Sequence, residues 1–301
     1  MYLSVMISRA TVLHLRIPFS YYLMPVFLLA WAIQPLEVET WRLVSTFLIL
    51  HLFLYPASNA FNSYHDKDEG SIGGLENPPP VSKELLHTAN LMDMMALIMA
   101  YVLSPLFALL LLAYTLASRA YSHPSVRLKK YPLISWVVAG VFQGFVTVWM
   151  SFEGLHATGI PMLLEPEVYL PALLSSLMLM GSYPMTQVYQ HQEDRQRGDR
   201  TLSLLLGIRG TFHFTMLVFT VATAAFVAYF YQQNPWLALA YPLVLSPVLF
   251  YFFRWYLRVR KNAQAADFHA TMRLNFISAT CLIVFFLLSG WLKFPFLWTL
   301  F

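Results

Sequence analysis

LLHTANLMDMMALIMAYVLSPLFALLLLAYTLASRA, residues 85–120, is the stretch on which the fold turns. A helix needs about 20 mostly apolar residues to cross a hydrocarbon core about 30 Å thick. This run is long enough for two crossings, and Ser104-Pro105 interrupts it near the middle. Proline removes a backbone donor, so either a tight turn between two helices or a kink in one helix fits there. Arginine and lysine decide between the two, because they concentrate in cytoplasmic loops. With spans at 85–102 and 104–120, the basic groups before and after the stretch lie on one face of the membrane. With a single span, the sidedness inverts after it.

Outward from this stretch, further spans fall near 17–34, 42–62, 132–152, 168–188, 211–231, 235–255 and 273–292. Under this nine-span reading, 17 of the 19 Lys and Arg residues share one face, and only Arg42 and Lys293 lie on the other. The facing loop 153–167 carries Glu153, Glu165 and Glu167 and no basic residue. The expectation is an all-α, polytopic membrane protein: a bundle of nine transmembrane helices forming a single domain over 1–301. Its N-terminus lies inside and its C-terminus outside.

Composition agrees. Hydrophobic residues are 58% of the chain and charged residues 11%, against roughly 25% charged in soluble domains. The runs are continuously apolar, whereas barrel strands alternate over about ten residues. The net charge of +4 reads as membrane topology, not as a nucleic-acid surface. The lone cysteine, Cys281, excludes an intramolecular disulfide and reads as a packed thiol. Ala30-Trp31-Ala32 resembles a signal-peptide cleavage site, but its apolar run exceeds the usual 7–15 residues. A retained first helix is expected.

The polar loops carry the chemistry. Residues 62–82 read NSYHDKDEGSIGGLENPPPVS. Asn62 and Asp66 are four apart, so a continuing helix sets both on one face, and Asp68 and Glu69 follow. Carboxylates beside an amide oxygen suit a hard cation such as Mg²⁺, although a solvated, acid-capped helix end has the same composition. Residues 189–211, YQHQEDRQRGDRTLSLLLGIRGT, repeat the spacing in Gln190 and Asp194, with Glu193, Asp199 and Arg195, Arg197 and Arg200 nearby. Residues 120–132, AYSHPSVRLKKYP, add Tyr121, Arg127, Lys129 and Lys130 on the same face. Acids that bind metal beside Arg and Lys are the parts that hold and ionise a diphosphate.

These loops resemble those of the UbiA superfamily of intramembrane prenyltransferases. Asn62, Ser63, Asp66 and Gly70 occupy the positions of its first motif, N-D-x-x-D-x-x-x-D. Gln190, Asp194, Gly198, Thr201 and Leu202 match its second. Residues 121–129 are similar to the Y-S-x-P-P-L-K-L-K of the chlorophyll synthase and archaeal lipid branches, and Arg16-Ile17-Pro18 to the arginine–proline of the first helix. Ser63, Gly70 and Gln190 replace motif aspartates; Asp68 and Glu69 could substitute from shifted positions.

The resemblance implies Mg²⁺-dependent transfer of an isoprenyl group from a prenyl diphosphate to a lipophilic acceptor, among membrane lipids and without nucleic acid. It implies a metal set of Asn62, Asp66, Asp68 and Asp194, and catalysis by Asp66, Asp194, Arg127 and Lys129. Substrate binding would fall to Arg16, Asn62, Tyr121, Gln190 and Arg195. The site would face the cytoplasm from an inner or plasma membrane, at the mouth of a cavity lined by helices 2 to 6. Cyclisation of the prenyl chain on the same fold, and a catalytically silent lipid-binding or transport protein, are the alternatives. Transporters place polar groups near the bilayer midplane, whereas these cluster at one interface.

Other residues carry weaker readings. His65 and His191 could join a transition-metal site, but no His-x₃-His or Cys partner accompanies them. Asp93, inside a span, is a functional candidate by default or a partner of Asn90 or a tyrosine. Asp267, Arg273 and Asn275 could line the cavity or anchor the interface. Phe142, Trp149 and Tyr183 could flank a prenyl tail or a carbocation.

Overall fold

The computed structural model describes residues 7–293. Among them, nine helices are long and apolar enough to cross a membrane: α1 (Arg9–Ile33), α2 (Thr40–Asp66), α3 (Lys83–Leu103), α4 (Pro105–Ser122), α5 (Pro132–His156), α6 (Pro166–Gln187), α7 (Leu202–Gln233), α8 (Pro235–Lys261) and α9 (Phe268–Leu292). The chain is an integral, multi-pass membrane protein. Its outer surface is apolar, with Val102 77% and Leu217 66% exposed, a profile that only lipid suits.

The 85–120 stretch is two helices. Ser104 is extended (φ −163°, ψ 132°) and caps α4, its hydroxyl accepting from the Phe107 amide. Pro105 takes the first helical position, where a missing N–H is not needed. Ser104 also donates to the buried Glu153 carboxylate at 2.5 Å, and Glu153 accepts from the Gly159 amide at 2.9 Å. Glu153 therefore belongs to the end of α5, not to the loop after it. Arg42 and Lys293, the two basic residues opposite the rest, donate to the carbonyls of Leu103, Gly154 and Ile33. Each tethers a helix C-terminus.

Charged helix ends run past the expected apolar limits: α2 reaches Asp66 and α8 reaches Lys261. Several helices are irregular. α1 breaks at Arg16, whose φ of 46° is left-handed, and continues as a 3₁₀ stretch over Ile17–Leu23. α2 and α5 contain wide turns with the i→i+5 pattern, Ile49–Leu54 and Val141–Val146. In α5 the Ser176 hydroxyl repairs the damage, accepting from the Phe145 amide at 2.9 Å and donating to the Gly140 carbonyl at 3.0 Å. α5 approaches α6 closely because Gly144 has no side chain; a Cβ there would lie 2.5 Å from the Ser176 Cα. Small residues at such contacts are how membrane helices pack.

Candidate active site

The site lies where α2, α4 and α6 end and α1 and α5 begin. Asn62 and Asp66 sit on the last turns of α2. Lys67 (φ 51°) then ends the helix and sends the chain into loop 67–82. Gln190 opens a short helix, His191–Arg197, and Asp194 lies one turn on. Gly198 (φ 73°) closes that helix with a left-handed residue, a conformation glycine takes without strain. Thr201 caps α7, and its hydroxyl donates to Asp194 Oδ2 at 3.2 Å.

These elements enclose a polar cavity of about 250 Å³. It gathers Asn62, Asp66, Asp68 and Asp194 of the expected metal set, together with Arg16, Tyr121, Lys129 and Gln190. Two expected residues are not among its lining. Arg195 is exposed on the outer side of its short helix, and Arg197 faces the cavity instead. Residues two apart on a helix point about 200° away from each other. Arg127 sits behind the wall and grips Asp199 with two bonds, at 3.0 and 2.9 Å.

Asp199 is the residue the sequence reading underweighted. It is buried and also lies 3.3 Å from Lys129 Nζ, which reaches Asp66 Oδ1 at 2.7 Å. Arg127 lies 3.8 Å from Asp66. Two acids and two bases thus form a compact network, and Asp66, Lys129 and Asp199 are its members that line the cavity. Gly198-Asp199 beside the second acidic segment was the available clue.

Asp68 and Glu69, the acids expected to substitute for the missing motif positions, have different surroundings. Asp68 is paired with Arg197, which also binds Glu193 at 2.6 Å. Glu69 is exposed, outside the cavity lining. Glu193 accepts from the Glu69 and Gly70 amides at 3.1 and 3.3 Å, and a Cβ at Gly70 would meet its carboxylate at 2.9 Å. The space where an aspartate would begin is filled by Glu193. Gln190 donates to the Ser71 carbonyl at 3.1 Å, and Arg16 to the carbonyls of Gly73 and Asn59 at 3.0 and 3.1 Å. Loop 67–82 is so fastened over the polar cavity.

The donor chemistry fits a hard cation. The amide oxygens of Asn62 and Gln187 are buried without a hydrogen-bond partner, and both residues line the cavity beside Asp66 and Asp194. Burial holds the Asp194 carboxyl up at about 6, against the pull of the Thr201 hydroxyl and Lys129. Among the described residues, no three His, Cys, Asp or Glu side chains form a ready metal cage. Mg²⁺ usually binds one or two carboxylates, substrate phosphates and water instead. His191 bonds Ser203 at 2.7 Å and His65 packs on Phe61 and His123, so neither joins the acids.

A second, larger cavity of about 580 Å³ meets the first. Asn59, Asn62, Tyr114, Gln143 and Tyr183 line both. The cavity runs between α1 and α6–α9 to Tyr241, Phe226 and Phe286, and no charged side chain lines it among the described residues. The volume therefore lies toward α6–α9, not within helices 2 to 6, and α3 lines neither cavity. Asn275 faces it, Phe142 faces the polar cavity, and Trp149 packs on Phe145 and Tyr169 away from both. Tyr121 and Tyr183 meet hydroxyl to hydroxyl near the junction. Asp93 is paired with Arg119, which also holds Asn90 at 2.7 Å and covers the Phe61 ring.

A profile described as the UbiA prenyltransferase family matches residues 22–277. Three solved structures are similar in fold. A UbiA homolog from Archaeoglobus fulgidus bound to GPP and Mg²⁺ is 14% identical, with TM-score 0.67 over 93% of this chain and 99% of that one. A UbiA homolog from Aeropyrum pernix K1 is 16% identical, with TM-score 0.66 over 89% and 98%. A structure addressing digeranylgeranylglyceryl phosphate synthase in membranes is 14% identical, with TM-score 0.62 over 94% and 98%. No curated protein sequence matches significantly.

Proposed function

This chain belongs to the UbiA prenyltransferase family, and from that premise we propose that it moves an isoprenyl group from a prenyl diphosphate to a lipophilic acceptor within the membrane, with Mg²⁺. The observation that carries this reading is the junction of two cavities. A polar chamber of about 250 Å³ opens into an apolar one of about 580 Å³ that has no charged lining among the described residues. A compact anionic head on a long apolar chain has the matching shape. The relative from Archaeoglobus fulgidus bound to GPP and Mg²⁺ supports the same ligand class.

Asn62, Asp66 and Asp194 would hold Mg²⁺, which supplies positive charge to the diphosphate oxygens. Lys129 faces the polar chamber and adds charge where the leaving group develops it. Arg127 acts at one remove: by fixing Asp199 it positions Lys129. Arg16 and Gln190 fasten loop 67–82 and border the head-group space. Tyr121, against Tyr183, borders the reacting end. The allylic C–O bond breaks with its electron pair leaving on the diphosphate. The rings of Phe19, Phe142 and Tyr183 stabilise the cation until the acceptor attacks. The apolar walls keep water from competing. The basic end of the bundle is read as cytoplasmic, and residues 1–301 as one domain.

The test is incubation of purified protein with labelled geranyl, farnesyl and geranylgeranyl diphosphates and Mg²⁺. Pyrophosphate release dependent on Mg²⁺ is expected. A cyclic hydrocarbon formed without acceptor would identify cyclisation instead. No consumption of any of the three diphosphates overturns the reading.

A further inference from the structure

Where the polar and apolar chambers meet, six polar side chains outside the metal set line both: Ser58, Asn59, Tyr114, Gln143, Tyr183 and Thr186. None is charged. Four of them bond protein groups. Ser58 meets the Ser118 hydroxyl at 2.5 Å, Asn59 donates to the Leu15 carbonyl at 3.5 Å, and Thr186 donates to the Tyr183 carbonyl at 2.7 Å. Tyr183 meets Tyr121 hydroxyl to hydroxyl. The Gln143 amide and the Tyr114 hydroxyl have no such partner among the described residues.

α5 is built to put Gln143 at this junction. Val138, Ala139, Phe142 and Gln143 follow helical spacing along the chamber wall, and Gln143 is the last residue of α5 that lines either chamber. It sits in the wide turn Val141–Val146. Such a turn interrupts the regular bonding of a helix and is frequent at functional sites. Three side-chain bonds sustain it here: the two of Ser176, and one from the Thr147 hydroxyl, which donates to the Phe142 carbonyl at 2.7 Å. Tyr114 comes from α4, which packs against the wide turn.

An amide offers a donor and an acceptor side by side, and a phenol offers both at one oxygen. Beside an apolar chamber, both groups gain from a polar partner. A charged partner is poorly matched. No charged side chain lines the apolar chamber among the described residues. In the polar chamber, Lys129 and Arg197 are paired with Asp66 and Asp68, and Arg16 is bonded to two carbonyls. A neutral hydroxyl on an apolar body fits instead.

We propose that Gln143 and Tyr114 hydrogen-bond an uncharged hydroxyl of the lipophilic acceptor and so select it over a carboxylate or an ether. The inference rests on the prenyl-transfer reading and names the acceptor class for that site. A site built to bond a hydroxyl rejects the analogue that lacks it, because its own polar groups are then left unpaired.

The test is calorimetric binding in detergent to protein first saturated with Mg²⁺ and a non-ionisable prenyl thiodiphosphate. The probes are naphthol, methoxynaphthalene and naphthoate, which share a ring system and differ in the polar group. Naphthol should bind at least about tenfold more tightly than either of the others. Gln143→Met and Tyr114→Phe should each weaken naphthol binding about fivefold, the net worth of one hydrogen bond. Both should leave methoxynaphthalene and thiodiphosphate binding unchanged. Neither side chain bonds a protein group, so neither variant should lower the unfolding temperature. Methoxynaphthalene or naphthoate binding as tightly as naphthol, or undiminished naphthol binding in either variant, overturns the proposal while leaving prenyl transfer standing. Failure of the parent protein to bind the thiodiphosphate overturns both.

Discussion

Asp66 and Asp68 are two residues apart in sequence and have different neighbours in space. Asp66 ends α2 beside Asn62 and Lys129, whereas Asp68 is paired with Arg197 in the loop beyond. Asp66→Asn and Asp194→Asn should each lower turnover at least about a hundredfold, the scale on which one charge-stabilising group matters; Asp194→Asn should leave the unfolding temperature near the parent value, whereas Asp66→Asn, which removes a partner of Lys129, should lower it. Asp68→Asn should act more weakly and leave the Mg²⁺ requirement unchanged. Arg197→Gln should reproduce it, and the double variant should be no worse than either single one, as expected of a coupled pair. If Asp68→Asn raises the Mg²⁺ requirement as Asp66→Asn does, Asp68 is a ligand after all. Burial raises the Asp194 carboxyl to about 6. A protonated carboxyl cannot bind metal, so apparent Mg²⁺ affinity should fall about tenfold per pH unit below 6 and level off above it. Asp194→Asn should remove that slope in a calorimetric titration.

At the scale of elements, the α5–α6 contact is the clearest dependence on one residue. Gly144→Ala would push a methyl into the Ser176 backbone and should cost about 1–3 kcal/mol, the usual penalty of overpacking. The comparison is unfolding of variant and parent in detergent. The helix inventory was legible because apolar length and one-sided charge are properties of whole segments. Ser104-Pro105 read correctly as a break, since serine capping and proline at the first position act locally. The wide turns in α2 and α5 were not legible: one extra residue shifts the phase of a helix, and a continuously apolar run carries no phase to shift. The choice of Arg197 over Arg195 depends on where the short helix after α6 begins, which the mixed charges of that segment do not mark. The Lys129–Asp199 contact joins segments whose meeting only the bundle determines.

Across the whole molecule, the fold sets an interfacial polar chamber above an apolar one that lies toward α6–α9. That placement could not be read from the sequence, because cavity linings and lipid-facing surfaces are equally apolar. The topology has its own check. Ser71→Cys and Ser125→Cys, each in a Cys281→Ser background, should react with an impermeant maleimide only after cells are permeabilised; labelling of intact cells would invert the bundle. The central claim is that the two chambers form one substrate site, with metal and diphosphate at Asn62, Asp66 and Asp194 and the chain in the apolar chamber. Equilibrium binding of a non-ionisable prenyl thiodiphosphate tests it most directly. Binding should require Mg²⁺, weaken strongly in Asp66→Asn and Asp194→Asn, and exceed that of pyrophosphate alone. Binding of equal strength without Mg²⁺ and in both variants would contradict the account.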